Sequence, residues 1–81
     1  MIVIFDLDGT LIDSARDIQS VAGTILGRLA LEPLTLKETQ RFIGEGAAVF
    51  VQRMMAARAV ENTTDNFETL HNQFLALYET A

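Results

Sequence analysis

The spacing of hydrophobic positions changes after the first few residues of the chain. Residues 2–5 form a continuous apolar run rich in β-branched side chains, without the alternation of a half-exposed strand. Such a run predicts a strand that is buried on both faces, as in a parallel sheet. From residue 14 onward, apolar positions recur three or four residues apart, which is the spacing of one helical face. The pattern therefore predicts one buried strand followed by helices.

The first predicted helix runs from Ser14 to about Leu31. Asp13 and Ser14 are good N-cap residues, and Pro33 is expected to end the helix because proline is incompatible with a helix interior. The core face of this helix is predicted to carry six apolar side chains: Ile18, Val21, Ala22, Ile25, Leu26 and Leu29.

A short second helix is predicted from a capping box. Thr35 and Glu38 have the required spacing, and the apolar pattern continues through Phe42 and Ile43. The Gly-Glu-Gly sequence at residues 44–46 then breaks the helix, because glycine disfavours a helix interior.

Two more helices are predicted after this break. The third runs from about Ala47 to Val60, and the fourth follows the polar segment 61–66, capped by Thr64 or Asp65. Large apolar side chains are expected on the core faces of both helices: Phe50, Val51, Met54 and Met55 on the third, and Phe67, Leu70, Phe74, Leu75 and Tyr78 on the fourth.

A single buried strand leaves its backbone donors and acceptors without partners. Either the strand pairs with another copy of the chain, or this sequence is the front part of a longer protein. We favour the second interpretation. The expected fold class is therefore α/β, although most of these residues are predicted to be helical.

Composition excludes several classes of function. The chain has 81 residues, a net charge of −5, no cysteine and one histidine. The acidic balance argues against nucleic acid or an anionic membrane as a partner, and favours a cation. Without cysteine there is no disulfide, thiolate metal site or cysteine nucleophile. Because no targeting signal or membrane-spanning run is present, we expect a cytoplasmic protein.

Candidate chemistry lies directly after the predicted strand. Asp6 and Asp8 are two residues apart, so their carboxylates can converge on extended chain, and Gly9 permits a tight turn whose amides face an anion. Open α/β sheets bind ligands at this end of their strands, and carboxylate oxygens favour Mg²⁺. These residues suggest a carboxylate nucleophile and an acid–base partner acting on a phosphate ester. A bare Asp-x-Asp pair, by contrast, is most often two solvated loop acids.

The longer sequence from Asp6 to Ser14, Asp-Leu-Asp-Gly-Thr-Leu-Ile-Asp-Ser, resembles the first motif of the haloacid-dehalogenase-like hydrolase superfamily. The resemblance implies that Asp6 is the nucleophile that becomes an aspartyl phosphate and that it also binds Mg²⁺. Asp8 is implied to be the general acid–base, with its main-chain carbonyl as a second magnesium ligand. An acid at this position favours a phosphatase or phosphomutase over a dehalogenase or an ion-pumping ATPase.

The same resemblance assigns the phosphate-binding loop. The backbone around Leu7 and Asp8 is implied to hold the phosphoryl oxygens, Gly9 to allow the turn, and Thr10 to brace the loop by hydrogen bonding. Residues 1–13 are thereby implied to be the first strand and catalytic loop of a Rossmann-like core. Residues 14–81 are implied to form a four-helix cap over the active site.

The break between the second and third helices is a candidate specificity loop. Its sequence looks like the cap loop of phosphoglycolate phosphatases, and the candidate residues are Arg41, Gly44, Glu45 and Gly46. A plain helix C-cap followed by a flexible joint fits the same glycines. Glu45 is acidic, so we expect it to point away from an anionic substrate or to bind a hydroxyl group. Arg53 and Arg58 are expected on the polar face of the third helix.

The resemblance implies a Mg²⁺-dependent phosphatase acting on a small phosphorylated metabolite, with 2-phosphoglycolate as the first candidate substrate. The superfamily's other motifs, a Ser or Thr, a Lys and a further pair of acids, are not found in this sequence. We therefore expect the 81-residue chain alone to be inactive. Two alternatives stay open: a sugar phosphomutase of the same superfamily, and a non-catalytic helical interaction module.

Overall fold

The computed structural model describes residues 15–80, which form four helices joined by short connections. The helices are α1 (Ala15–Arg28), α2 (Leu36–Phe42), α3 (Ala47–Ala57) and α4 (Thr64–Thr80). The four predicted helices are confirmed. The predicted strand at residues 2–5 lies outside the described residues, so the Rossmann-like core and the division at residue 13 stay predictions. None of the helices in the described part combines the length and apolarity that a bilayer crossing needs.

The helices pack in a ring around one apolar core. Contacts join α1 to α2, α2 to α3, α3 to α4 and α4 back to α1. Most of the predicted core positions are buried, because each helix turns its apolar face inward. The largest fully buried side chains are Phe50, Phe74, Ile18, Ile25, Leu26, Leu34, Met54, Met55 and Val51. Phe67, Leu75 and Tyr78 are only partly buried, at the edge of this core.

The directions of α1, α3 and α4 show that the connection between α2 and α3 lies at the end of the bundle where α1 begins. Leu29 and Ala59, just after α1 and α3, line a shallow groove together with Leu70 in the first half of α4. At the other end, Phe50 near the start of α3 packs on Phe74 in the second half of α4, with ring centroids 5.3 Å apart. The start of α1, the start of α3 and the end of α4 therefore lie at the same end of the bundle.

The first helix ends earlier than predicted. Ala30 adopts a left-handed conformation with a φ of 59°, and the Leu31 N–H donates to the Leu26 carbonyl at 2.9 Å, as in a Schellman motif. Pro33 therefore does not end α1, because the helix has already stopped at Arg28. Leu29, predicted to lie on the core face, follows this stop and is 43% exposed.

The third helix ends in the same way. The Val60 N–H donates to the Met55 carbonyl at 2.9 Å, and Ala59 has a φ of 58°. The prediction that α3 reaches Val60 is therefore three residues too long, since the helix ends at Ala57. Alanine at a left-handed position is unfavourable because its Cβ crowds the neighbouring carbonyl, whereas glycine has no such contact.

Replacing Ala59 with glycine is expected to stabilise the protein. Ala59→Gly relieves the left-handed strain but adds backbone entropy to the unfolded chain, for a net gain of about 0.5–1 kcal/mol in free energy of unfolding. Urea denaturation followed by circular dichroism measures this change. Ala56→Gly is the matched control, because Ala56 is exposed within α3; there glycine is expected to cost about 0.5–1 kcal/mol. Destabilisation by both substitutions would contradict the prediction.

The N-terminus of α4 is capped by a different residue from those predicted. The Thr63 hydroxyl oxygen accepts a hydrogen bond from the Asn66 N–H at 3.1 Å. Thr64 and Asp65, the predicted caps, lie instead in the first turn of the helix. The error is a single residue, and Asp65 still places a negative charge at the helix N-terminus, which favours it.

The capping box that opens α2 is confirmed. The Thr35 hydroxyl oxygen accepts from the Glu38 N–H at 3.0 Å, and Glu38 Oε1 accepts from the Thr35 N–H at 3.0 Å. Both carboxylate oxygens of Glu38 also accept hydrogen bonds from the guanidinium of Arg58, at 2.8 and 3.1 Å. The start of α2 is thus tied to the end of α3.

Arg58 uses all five N–H groups of its guanidinium to hold the connections in place. Besides the two bonds to Glu38, Nε donates to the Glu32 carbonyl at 2.9 Å, Nη2 to the Pro33 carbonyl at 2.8 Å and Nη1 to the Ala57 carbonyl at 3.2 Å. Its side chain is 15% exposed. The prediction that Arg58 lies on the polar face of the third helix is therefore wrong.

Candidate functional site

The predicted site residues divide into two groups. Those assigned to catalysis, magnesium and phosphate lie outside the described residues, and their roles stay predictions: Asp6, Leu7, Asp8, Gly9 and Thr10. Those assigned to substrate specificity lie at the connection between α2 and α3: Arg41, Gly44, Glu45 and Gly46. Residues 43–46 are called the specificity loop below.

The backbone of the specificity loop requires its two glycines. α2 ends at Phe42, and Ile43 continues in an extended conformation while its N–H donates to the Thr39 carbonyl at 3.2 Å. Gly44 and Gly46 then have φ values of 142° and 94°, which side-chain-bearing residues rarely adopt. A Cβ at Gly44 would meet no atom within 4 Å. Conformation rather than space therefore requires glycine at position 44, as the predicted helix break implies.

Gly46 also starts the third helix. It is the N-cap residue of α3, it is buried, and its carbonyl accepts from the Phe50 N–H at 3.0 Å. Because glycine has no side chain, the helix begins without a side-chain cap. The start of α3 is therefore set by the backbone of Gly46 and not by a capping side chain.

Glu45 is held by an arginine from α3. Glu45 Oε2 accepts a hydrogen bond from Arg53 Nη2 at 2.8 Å, and Arg53 Nη1 donates to the Phe42 carbonyl at 3.3 Å. The Arg53 and Glu45 side chains are 37% and 64% exposed. Glu45 therefore carries its own counter-charge, which reduces the repulsion expected between this acid and an anionic substrate.

The sequence interpretation missed the role of Arg53. It placed this residue on the polar face of the third helix, whereas its side chain is half-buried against the specificity loop. A signal was present in the spacing, because a residue seven positions after Gly46 lies on the same helical face two turns later. Helical side chains also lean toward the N-terminus of their helix, which lets Arg53 reach back to the loop.

Arg41 occupies a separate position beside the loop. Its guanidinium carbon lies 5.5 Å from the centroid of the Phe42 ring, and the residue is exposed in the last turn of α2. A cation over an aromatic face is weakly favourable at an exposed site. Arg41 is thus oriented by its neighbour but open to solvent.

Among the side chains that the structure describes, there is no cluster of three or more His, Asp or Glu that could hold a metal ion. The predicted magnesium ligands, Asp6 and Asp8, precede this part of the chain. The described part of the chain begins at the start of α1, which lies at the same end of the bundle as the specificity loop.

Comparisons with known proteins find relatives over almost the whole chain. The family described as Haloacid dehalogenase-like hydrolase matches residues 3–80. Proteins named phosphoglycolate phosphatase from Cereibacter sphaeroides, Pseudomonas putida and Agrobacterium fabrum are 42%, 38% and 34% identical over 77 residues. These alignments cover 95% of this chain and 35%, 28% and 33% of the relatives, so the chain spans about a third of their length. No solved structure matches the chain.

Proposed function

This chain belongs to the haloacid dehalogenase-like hydrolase family, and on that premise we propose that its full-length protein is a phosphatase for a small phosphomonoester. The observation that carries the proposal is the extent of the family match, which spans both the acidic motif and all four helices. Because relatives named phosphoglycolate phosphatase align with 95% of the chain, 2-phosphoglycolate is the proposed substrate.

In the proposed reaction a carboxylate oxygen of Asp6 attacks phosphorus, and the bond between phosphorus and the substrate's ester oxygen breaks. Asp8 donates its proton to the departing alkoxide, so the alcohol leaves neutral. Water then attacks the aspartyl phosphate while Asp8 takes up one of its protons. Inorganic phosphate is released, and both acids return to their starting states.

We propose Mg²⁺ as the cofactor, held by the Asp6 carboxylate and the main-chain carbonyl of Asp8. Hard oxygen donors of this kind fit magnesium, which keeps several further ligands from water and phosphate. When bound, the ion would neutralise charge on the phosphate and on the attacking carboxylate.

The four helices are proposed to be the cap of this enzyme, with residues 1–13 belonging to the catalytic core. The direction of the helices supports this role, because the specificity loop lies at the end of the bundle that residue 15 enters. We therefore propose that the loop faces the catalytic acids that precede α1 in the sequence. Arg41, Gly44, Glu45 and Gly46 are proposed to face the substrate's non-phosphate end.

The test is turnover by the full-length protein. Purified protein with Mg²⁺ is expected to release inorganic phosphate from 2-phosphoglycolate with a kcat/KM in the usual enzyme range of about 10⁴–10⁸ M⁻¹s⁻¹. A panel of sugar phosphates, glycerol phosphate and p-nitrophenyl phosphate serves as the comparison. Transfer of phosphate between hydroxyl groups of a sugar, without release to water, would show a phosphomutase instead. No reaction with any member of the panel would favour the non-catalytic interaction module.

A further inference from the structure

We propose that Arg53 is a positioning residue that fixes the specificity loop through Glu45 and the Phe42 carbonyl, and thereby sets affinity for the substrate's non-phosphate end. This inference rests on the proposed function for its consequence in catalysis. Its structural part, the immobilisation of residues 43–46, is independent of which ester is hydrolysed. Arg53 does not itself touch substrate in this proposal.

The loop needs an external restraint because its own backbone is permissive. Gly44 and Gly46 lie in regions of φ that glycine reaches freely, and glycine loses more conformational freedom on ordering than any other residue. A Cβ at Gly44 would meet no atom within 4 Å, so no side-chain packing restrains this position. Without an added contact, this segment is expected to sample several conformations.

Arg53 supplies that contact on both sides of Gly44. One arm of its guanidinium binds the last carbonyl of α2, at Phe42, and the other binds the carboxylate of Glu45. The planar fork fixes the angle between these two bonds, so the segment from residue 42 to residue 45 is clamped to the second turn of α3. Lysine keeps the charge but lacks the fork, so it cannot reproduce both bonds in the same geometry.

Arg53 also neutralises the charge of Glu45. With Arg53 present, the negative charge of Glu45 is paired at 2.8 Å. Without it, Glu45 carries an unpaired charge on a mobile loop, which repels an anionic ligand over several ångströms. Loss of Arg53 is therefore expected to weaken binding more for a substrate that has a carboxylate in addition to its phosphate. Binding of a substrate whose non-phosphate end is uncharged is expected to weaken less.

Effects on folding stability are expected to be small, because both side chains are substantially exposed and surface ion pairs contribute little. Functional and structural consequences can therefore be separated. Arg53→Gln in the full-length protein is expected to raise KM for 2-phosphoglycolate about three- to tenfold with little change in kcat. Arg53→Lys is expected to be intermediate, and KM for p-nitrophenyl phosphate is expected to rise less.

Three further variants complete the experiment. Glu45→Gln is expected to raise KM less than Arg53→Gln, because it breaks the ion pair without leaving an unpaired negative charge. In the double variant Arg53→Gln/Glu45→Gln, the fold-increase in KM is expected to be smaller than the product of the two single fold-increases. The two residues act through one contact, so their effects are not independent. Arg28→Gln is the matched control, because Arg28 is exposed at the opposite end of the bundle and is expected to leave KM unchanged.

A second measurement on the full-length protein separates this inference from the proposed function. Amide hydrogen exchange at residues 44–46, followed by NMR, is expected to accelerate in Arg53→Gln but not in Arg28→Gln. Unchanged exchange, or an equal fall in kcat for both esters without a change in KM, would overturn the positioning role. If the unmodified full-length protein does not hydrolyse 2-phosphoglycolate, the proposed function fails, while the exchange result still decides whether Arg53 fixes the loop.

Discussion

Asp6→Asn is expected to abolish phosphatase turnover by the full-length protein. An amide oxygen is a far weaker nucleophile than a carboxylate, so the aspartyl phosphate cannot form. Removing a covalent nucleophile from an enzyme typically costs about 10⁴-fold or more in kcat. Initial rates of phosphate release from 2-phosphoglycolate at saturating Mg²⁺ measure the loss.

Asp65→Asn is the matched control for this substitution, because Asp65 is exposed in the first turn of α4. Its turnover is expected to equal that of the unmodified protein. Brief incubation with a ³²P-labelled ester is expected to place label on Asp6 in the unmodified protein and on no residue of Asp6→Asn. Full activity in Asp6→Asn, or label on a different side chain, would overturn the nucleophile assignment.

Arg58→Lys is expected to destabilise the four-helix bundle. Lysine has three donors on one atom and cannot reproduce five N–H groups in a planar fork. The substitution would disrupt the hydrogen bonds that Arg58 donates to the carbonyls of Glu32 and Pro33 and to the carboxylate of Glu38. Urea denaturation is expected to show a fall of about 1–3 kcal/mol in free energy of unfolding. Arg16→Lys, at an exposed position on α1, is the control and is expected to change little.

The same contact predicts a dependence of stability on pH. Hydrogen bonds from Arg58, and then from the Thr35 backbone, lower the pKa of Glu38 from 4.5 to about 2 in the folded protein. Because the folded-state pKa is the lower one, the ionised carboxylate stabilises the fold above pH 4.5, and this contribution is lost as pH falls toward 2. The difference in free energy of unfolding between the unmodified protein and Glu38→Gln is therefore expected to shrink over that interval. If the difference in free energy of unfolding between the two proteins stays constant with pH, the lowered pKa of Glu38 is contradicted.

Local patterns were enough to predict the capping box and most of the core. Thr35 and Glu38 are three residues apart, so the geometry of one helical turn brings them together whatever else the chain does. Buried positions such as Ile25 and Phe74 follow from helical periodicity in the same way. Leu29 is exposed, against the prediction, because α1 ends before it in a turn with the left-handed residue Ala30. Alanine is an unusual residue at such a position.

The sequence by itself determined the helices, the glycine break between α2 and α3, and the resemblance that the family match confirms. Each of these depends on residues that are neighbours along the chain. Only the tertiary structure decided what the arginines do. Arg53 contacts Phe42 and Glu45 across the loop, and Arg58 contacts residues up to 26 positions away. Helical spacing places Arg53 on the face of α3 that carries Gly46, but the partners that either arginine binds depend on how the helices and connections pack.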